Sequence, residues 1–371
     1  MSQKYVWLLT LVLLLGLSTC ARPSPTPTTA LPTPTATLPA VGVTLTLAGG
    51  EGGYAEGNGT EARFSSPSSV VVDASGNVYV ADAGNHRIRR IAPDGVVTTL
   101  AGNGEAGTKD GKGTEAEFGT PGGLTLDAAG NLYVADTVVQ DPHPLHIRKV
   151  TPDGEVTTIA GTSSGYVDGP VDQAQFRSPA DVTVDEAGNL YVADTNNHRI
   201  RRISAEGQVT TFAGKPGSGF AAGYADGPAA DARFNKPQGI AVDQKGNVYV
   251  ADTGNQRIRV ITPDGQVRTL AGTGEAGYAD GPASSARFNY PMGIAVDAKG
   301  NVYVADSASH RIRKIAPDGI VSTVAGSGQG GYADGLNAQA QFRLPTDVAV
   351  GPDGALYVAD SGNHRIRKVV P

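Results

Sequence analysis

The chain has 371 residues, a formal net charge of −6, 50 glycines and a single cysteine. The acidic balance excludes the concentrated positive charge on which nucleic-acid binding depends, and one cysteine excludes an internal disulfide. The sequence also has no phosphate-binding P-loop, no His-Glu-x-x-His motif and no Cys-x-x-Cys motif.

The N-terminal segment has the features of an export signal. Lys4 precedes a mostly apolar run, residues 5–17, which is shorter than the ~20 residues that a membrane-spanning helix needs. The sequence Leu-Ser-Thr-Cys that ends at Cys20 resembles a bacterial lipobox. We therefore predict a lipoprotein-type signal peptide over residues 1–20, with Cys20 as the lipidation site. Thr19 stands where a smaller residue is usual, so simple cleavage and full secretion remain the alternative.

Residues 21–40 are dominated by proline, threonine and serine. Such a segment cannot bury a core and stays extended, so we predict a linker that would hold the following domain away from a membrane.

The remainder of the chain, residues 41–371, repeats one pattern six times. A phenylalanine precedes each copy at 54- or 58-residue intervals, at Phe64, Phe118, Phe176, Phe234, Phe288 and Phe342. A period of this size is typical of radially or linearly repeated supersecondary units. Features present in all copies are then expected to be architectural, and function is expected where the copies differ.

Each copy predicts four short strands. In the fourth copy they are residues 239–242, 247–251, 257–261 and 266–271, which are rich in β-branched residues and separated by turn sequences such as Pro263-Asp-Gly. Residues 43–49 match the fourth strand, which the last copy lacks. The fold class is therefore predicted as all-β: a six-bladed β-propeller with four antiparallel strands per blade, in which the N-terminal strand closes the last blade.

The repeated sequences PxGIAVD, GNVYVAD and NxRIRKI resemble the NHL repeat, and the connecting AGxGxxGYADGxxxxAxF is similar to the linking segment of bacterial NHL proteins. The resemblance covers residues 43–370. It implies a propeller that acts mainly as a binding module, although related six-bladed propellers include lactonases and lyases. Function must therefore be argued from a site.

Histidines recur at the start of the third strand, at His86, His198, His310 and His364. Copies in different blades cannot converge on one ion, so we predict no metal site there. We expect each imidazole to hydrogen-bond the aspartate that ends the second strand (Asp82, Asp194, Asp306, Asp360), together with the arginine that follows the histidine.

Two insertions distinguish the copies. One lies between the second and third strands of blade two and contains Asp141 and His143. The other precedes blade four and contains Lys215 and Phe220. Alternating strand direction puts both kinds of loop on the same face, so we predict that these four residues line a ligand-binding edge, with random loop drift as the alternative.

The two residues after each inner-strand proline should ring the mouth of the axial channel on that face. Among them are Gln238 and the carboxylates Asp181 and Asp347, which come from opposite blades. These two aspartates could bind a cationic group or cap their own strands, and the second interpretation is preferred.

The sequence thus predicts an exported, lipid-anchored, monomeric propeller in the cell envelope or at the cell surface. It would be a non-catalytic scaffold for a protein, peptide or glycan ligand. It would contact the membrane only through its lipid, bind no nucleic acid and need no metal or cofactor. The alternatives are a metal-dependent lactonase- or lyase-like enzyme with its site in the channel mouth, and a structural spacer or assembly element.

Overall fold

The computed structural model of the chain describes residues 42–137, 145–216 and 222–371. These residues form six separate antiparallel sheets, five built from one sequence repeat each and the sixth from the last repeat together with the N-terminal strand. The inner strands of successive blades contact one another, and the last blade contacts the first. The predicted all-β, six-bladed β-propeller is confirmed.

Four strands of each blade correspond to the predicted ones. The inner strands are Ser69–Val72, Thr120–Leu126, Pro179–Val184, Pro237–Val242, Pro291–Val296 and Asp347–Val350. The second strands are Val78–Asp82, Leu132–Thr137, Leu190–Asp194, Val248–Asp252, Val302–Asp306 and Leu356–Asp360. The third strands are Arg87–Ile91, His146–Val150, Arg199–Ile203, Arg257–Ile261, Arg311–Ile315 and Arg365–Val370. The fourth strands are Val96–Ala101, Glu155–Ala160, Gln208–Ala213, Gln266–Ala271, Ile320–Ala325 and Val43–Gly49.

A fifth strand of two residues, which the sequence did not predict, covers the outer edge of every blade. These strands are Gly57–Asn58, Gly111–Lys112, Gly169–Pro170, Gly227–Pro228, Gly281–Pro282 and Gly335–Leu336. Each comes from the connection that leads into the blade it covers, so the outer edge of every blade is only two residues long.

Short 3-10 helices are the only helices in the described ranges. They are Gly59–Glu61, Ala83–Asn85, Gly113–Glu115, Thr195–Asn197, Thr253–Asn255, Ser307–Ser309 and Ser361–Asn363. No helix in that part of the chain has the length and apolar character to cross a membrane.

The ring closes as predicted. Val43–Gly49 pairs antiparallel with Arg365–Val370, and also pairs with the short strand Gly335–Leu336. The last blade therefore combines the two ends of the chain. The core lies between blades: Phe64 of blade one is fully buried in a cluster that includes Ile366 of blade six.

One arginine on the third strand of each blade is completely buried: Arg89, Arg148, Arg201, Arg259, Arg313 and Arg367. In blade four, Nη1 of Arg259 donates to Oδ2 of Asp252 at 2.8 Å. The guanidinium also donates to Asp226 and to the carbonyls of Ala225 and Arg233 in the incoming connection. The ring of Tyr224 covers the guanidinium at 5.0 Å. The arginine thus holds the connection onto the blade.

The recurring histidines make structural hydrogen bonds, but the predicted aspartate partner is wrong. Nδ1 of His198 accepts the backbone N–H of Lys236 in the next blade at 3.0 Å, and Nδ1 of His310 accepts that of Leu344 at 3.2 Å. In blade four the amide oxygen of Gln256 takes the same role. The aspartates instead pair with the buried arginines, because those lie on the facing strand inside the same blade.

Candidate functional site

The residues that follow the six inner-strand prolines meet around the axis and line one cavity of about 390 Å³. All twelve predicted positions line it: Ser68, Ser69, Gly122, Gly123, Ala180, Asp181, Gln238, Gly239, Met292, Gly293, Thr346 and Asp347. The volume lies in the ~300–1,000 Å³ range of small-molecule sites. We call this cavity the channel mouth.

Asp181 and Asp347 form the floor of the channel mouth. Both also line a second cavity, about 350 Å³, that runs along the axis between apolar inner-strand residues such as Val70 and Ile240. Their carboxyl groups are surrounded by protein, yet each residue keeps some surface open to these cavities. The two carboxylates therefore separate the channel mouth from the apolar channel.

Asp347 accepts three hydrogen bonds. Its Oδ2 accepts the Ser69 hydroxyl at 2.6 Å and the Val70 N–H at 3.0 Å, both from blade one, and its Oδ1 accepts the Val348 N–H at 2.8 Å. Burial raises the pKa of Asp347 to about 6, and these donors oppose the shift. With three donors directed at it, Asp347 has the hydrogen-bond partners of a carboxylate.

Asp181 repeats this arrangement on the opposite side with fewer donors. Its Oδ2 accepts the Ile240 N–H of blade four at 2.9 Å, and its Oδ1 accepts the Val182 N–H at 2.8 Å. Burial, followed by the nearby charge of Asp347, raises the pKa of Asp181 well above its usual range. Asp181 has no hydroxyl donor equivalent to the Ser69 donor of Asp347.

Glycines make room for both carboxylates. A Cβ atom at Gly123 would lie 1.8 Å from Oδ1 of Asp181, and one at Gly293 would lie 2.2 Å from Oδ1 of Asp347. Each aspartate thus occupies a gap left by the preceding blade and accepts a backbone N–H from the following blade. The residues at this position are therefore complementary between neighbouring blades: a glycine in one blade makes room for the aspartate of the next.

Several hydroxyl groups of the channel mouth already donate to backbone carbonyls of the neighbouring blade. Ser68 donates to the carbonyl of Pro121 at 2.7 Å, Thr195 to that of Pro237 at 2.6 Å, and Thr346 to that of Pro67 at 3.2 Å. These hydroxyls therefore offer the cavity only acceptor lone pairs.

Lys236 and Tyr290 also line the channel mouth, and the sequence analysis missed both. Each directly precedes an inner-strand proline and has a left-handed backbone, with φ of 49° and 58°. The N–H of Lys236 is held by His198 and that of Tyr290 by Gln256. The sequence feature that could have identified them is variation among the copies at the position before the proline. The six residues there are Ser66, Thr120, Ser178, Lys236, Tyr290 and Leu344.

The predicted site residues fall into three groups. Asp181, Asp347 and Gln238 come together in the channel mouth. Lys215 is exposed and is not among the described residues that line the cavity; its carbonyl accepts a bond from Arg199 at 2.8 Å. The last group, Asp141, His143, Phe220 and Cys20, lies outside the described residues. In blade one, the connection between the second and third strands meets the inter-blade connection, because the side chain of Asn85 donates to the carbonyl of Gly53 at 2.7 Å.

The described ranges contain no group of three or more His, Cys, Asp or Glu side chains that could hold a metal ion. Residues 161–165 have the Gly-x-Ser-x-Gly spacing of a nucleophile elbow. Ser163, however, lies in a connection between blades rather than in a strand-to-helix turn, and its hydroxyl accepts a bond from Gln175 at 2.7 Å. It is not activated by a neighbouring base among these residues.

Known families and relatives match the repeated part of the chain. The Teneurin NHL domain profile matches residues 167–262, 222–281 and 274–331, and the NHL repeat profile matches residues 64–91 and 342–369. The chain is 30% identical to NHL repeat-containing protein 2 of Bos taurus, over 81% of this chain and 46% of that protein. It is 31% identical to SUPPRESSOR OF QUENCHING 1, chloroplastic, of Arabidopsis thaliana, over 82% and 30%. The chain thus spans less than half the length of these relatives.

A solved structure shares the fold. An auxiliary nutrient binding protein from Bacteroides ovatus superposes with a TM-score of 0.67 at 19% identity, covering 89% of this chain and 76% of that one. At this identity the likeness concerns the fold alone.

Proposed function

Because the chain belongs to the NHL-repeat family of six-bladed β-propellers, we propose that it is a non-catalytic binding protein. Its ligand, a protein, peptide or glycan, would be held at the channel mouth. The proposal depends on two features together: the way the blades meet at the axis, and the sequence differences among the blades at that place. Twelve equivalent positions converge on one cavity, and they hold different residues in different blades.

The cavity has the character of a recognition site. Exposed Lys236, half-buried Gln238 and Tyr290, which is 44% exposed, project into it from blades four and five. Their side chains have no hydrogen-bond partner among the described residues. A few polar groups that converge on a largely preformed concave site are what fixes ligand orientation. The name of the nutrient binding protein with the same fold agrees with such a role.

The exported location belongs to the same proposal. The signal sequence, Cys20 and the proline-rich linker would place the propeller at the cell surface, lipid-anchored, where its ligand is extracellular. The propeller would act as a monomer, because the outer edge of every described sheet is a strand of only two residues.

A mutation that fills the cavity tests the proposal. Gln238→Trp places a large side chain in the channel mouth, while Gln244→Trp adds the same bulk to an exposed turn of the same blade that borders a different cavity. Purified wild-type protein and both variants are applied to arrays of immobilised glycans and short peptides. We expect wild-type binding to be lost in Gln238→Trp and kept in Gln244→Trp. Binding that survives in a folded Gln238→Trp protein would place the ligand site elsewhere.

A further inference from the structure

The two sides of the channel mouth differ in the hydrogen bonds that they can offer. The floor and the wall formed by blades one, three and six offer acceptors: the carboxylate of Asp347 and the oxygens of Ser68, Thr195 and Thr346, whose protons are used by backbone carbonyls. A ligand that satisfies this side must bring donors, and beside an ionised carboxylate a cationic donor is favoured.

The wall formed by blades four and five offers donors. The ammonium of Lys236, the amide of Gln238 and the hydroxyl of Tyr290 all border the cavity, and none has a bonded partner in the described part of the chain. An ammonium, an amide and a phenol that border one cavity are suited to a carboxylate, which accepts several hydrogen bonds at once. The ligand must therefore bring an anion to this side.

The charged groups of the channel mouth further limit the class of ligand that it can bind. Lys236 brings an ammonium group to one side of the channel mouth, and Asp347 and Asp181 bring carboxyl groups to the other. The channel mouth therefore has groups of opposite charge on its two sides. A ligand with a single charge leaves one side of the channel mouth without a charged partner, and that costs affinity.

Apolar surface lies between the two charged sides. Met292 and the ring of Tyr290 border the cavity together with the glycines of the inner strands. An aliphatic or thioether side chain of a ligand would contact these groups, and methionine adapts to side chains of different shape.

We propose that the channel mouth binds a small zwitterion, a free α-amino acid or a short peptide, with its ammonium toward Asp347 and Asp181 and its carboxylate toward Lys236 and Tyr290. This inference rests on the proposed function and specifies its ligand class. An acidic sugar supplies the anion but no cation for the floor, and a neutral sugar supplies neither.

Matched probes test the inference. The dipeptide Leu-Leu, its N-acetyl form, its C-terminal amide and glucuronate are titrated into the purified full-length protein by isothermal calorimetry. We expect Leu-Leu to bind, and either terminal block to weaken binding about ten-fold or more, because each removes one charge-assisted contact. Lys236→Met should reproduce the effect of the C-terminal amide. Lys245→Met, which removes an exposed lysine from a turn of the same blade outside the channel mouth, should not change binding.

Two results would overturn the inference. One is that Leu-Leu does not bind, or binds equally well after either block. The other is that glucuronate binds and Leu-Leu does not. If glucuronate binding is then abolished by Gln238→Trp, the channel mouth remains the binding site and only the ligand class is wrong. If the binding of every probe survives Gln238→Trp, the proposed function fails as well.

Discussion

Replacement of a buried arginine should show how strongly the propeller depends on its ion pairs. Arg259 and Asp252 are both fully buried and form a 2.8 Å salt bridge. In Arg259→Ala, Asp252 keeps only the bonds from the Asn235 N–H and the Asn255 side chain. Removal of one partner of a buried ion pair costs about 3–5 kcal/mol, because the other charge stays without a counter-ion. We expect a loss of unfolding free energy of that size.

The loss should depend on pH. Burial already raises the pKa of Asp252 against the opposing effect of Arg259, so its pKa should rise further in the variant. A carboxyl group whose folded-state pKa is raised contributes stability below its unfolded pKa and loses it as the pH rises through the folded pKa. The loss of unfolding free energy in Arg259→Ala, relative to the wild-type protein, should therefore be larger at pH 8 than at pH 5.

Chemical denaturation monitored by circular dichroism measures both effects. Arg268→Ala, which removes an exposed arginine from the fourth strand of the same blade, is the control and should change stability by less than about 0.5 kcal/mol. The double variant Arg259→Met with Asp252→Leu should recover part of the loss, since no unpaired charge remains. An Arg259→Ala protein as stable as Arg268→Ala at both pH values would refute the reasoning.

Three further predictions concern closure, acid stability and anchoring. Deletion of residues 41–49 removes the strand that pairs with Arg365–Val370, so the protein should melt at a lower temperature and self-associate in size-exclusion chromatography; a clean monomer of unchanged stability would contradict this. Burial lowers the pKa of His310, so wild-type stability should lose a contribution as the pH falls below about 6.5; His310→Gln, which copies Gln256, should remove that part of the pH dependence in denaturation at pH 7.5 and 5.5. Cys20→Ser should release the protein from membranes on fractionation, and a wild-type protein without lipid by mass spectrometry would rule out the anchor.

Much of the fold could be predicted because the repeat displays its own strand pattern. In blade four the third and fourth strands have the predicted bounds, and the inner strand begins two residues earlier than predicted, at Pro237. The two-residue strand Gly227–Pro228 was missed because so short a segment has no alternation to detect. The role of Arg259 was also missed, since an arginine in a strand usually faces solvent.

The candidate site was only partly predictable. The ring of residues after each proline follows from the topology, and so does the placement of Asp181 and Asp347. Contacts between blades do not follow from the sequence, so the histidine partners were predicted within the same blade, whereas they lie in the next blade. Lys236 and Tyr290 were missed because their approach to the cavity depends on a left-handed backbone before proline, a conformation that bulky residues rarely adopt.

The most direct test of the central claim is a crystal structure of the propeller with a bound ligand, whichever peptide or glycan the arrays identify. We expect electron density for the ligand in the channel mouth, within hydrogen-bond distance of Lys236 and above the carboxylates of Asp181 and Asp347. Ligand density at another surface, with the channel mouth filled only by water, would contradict the account.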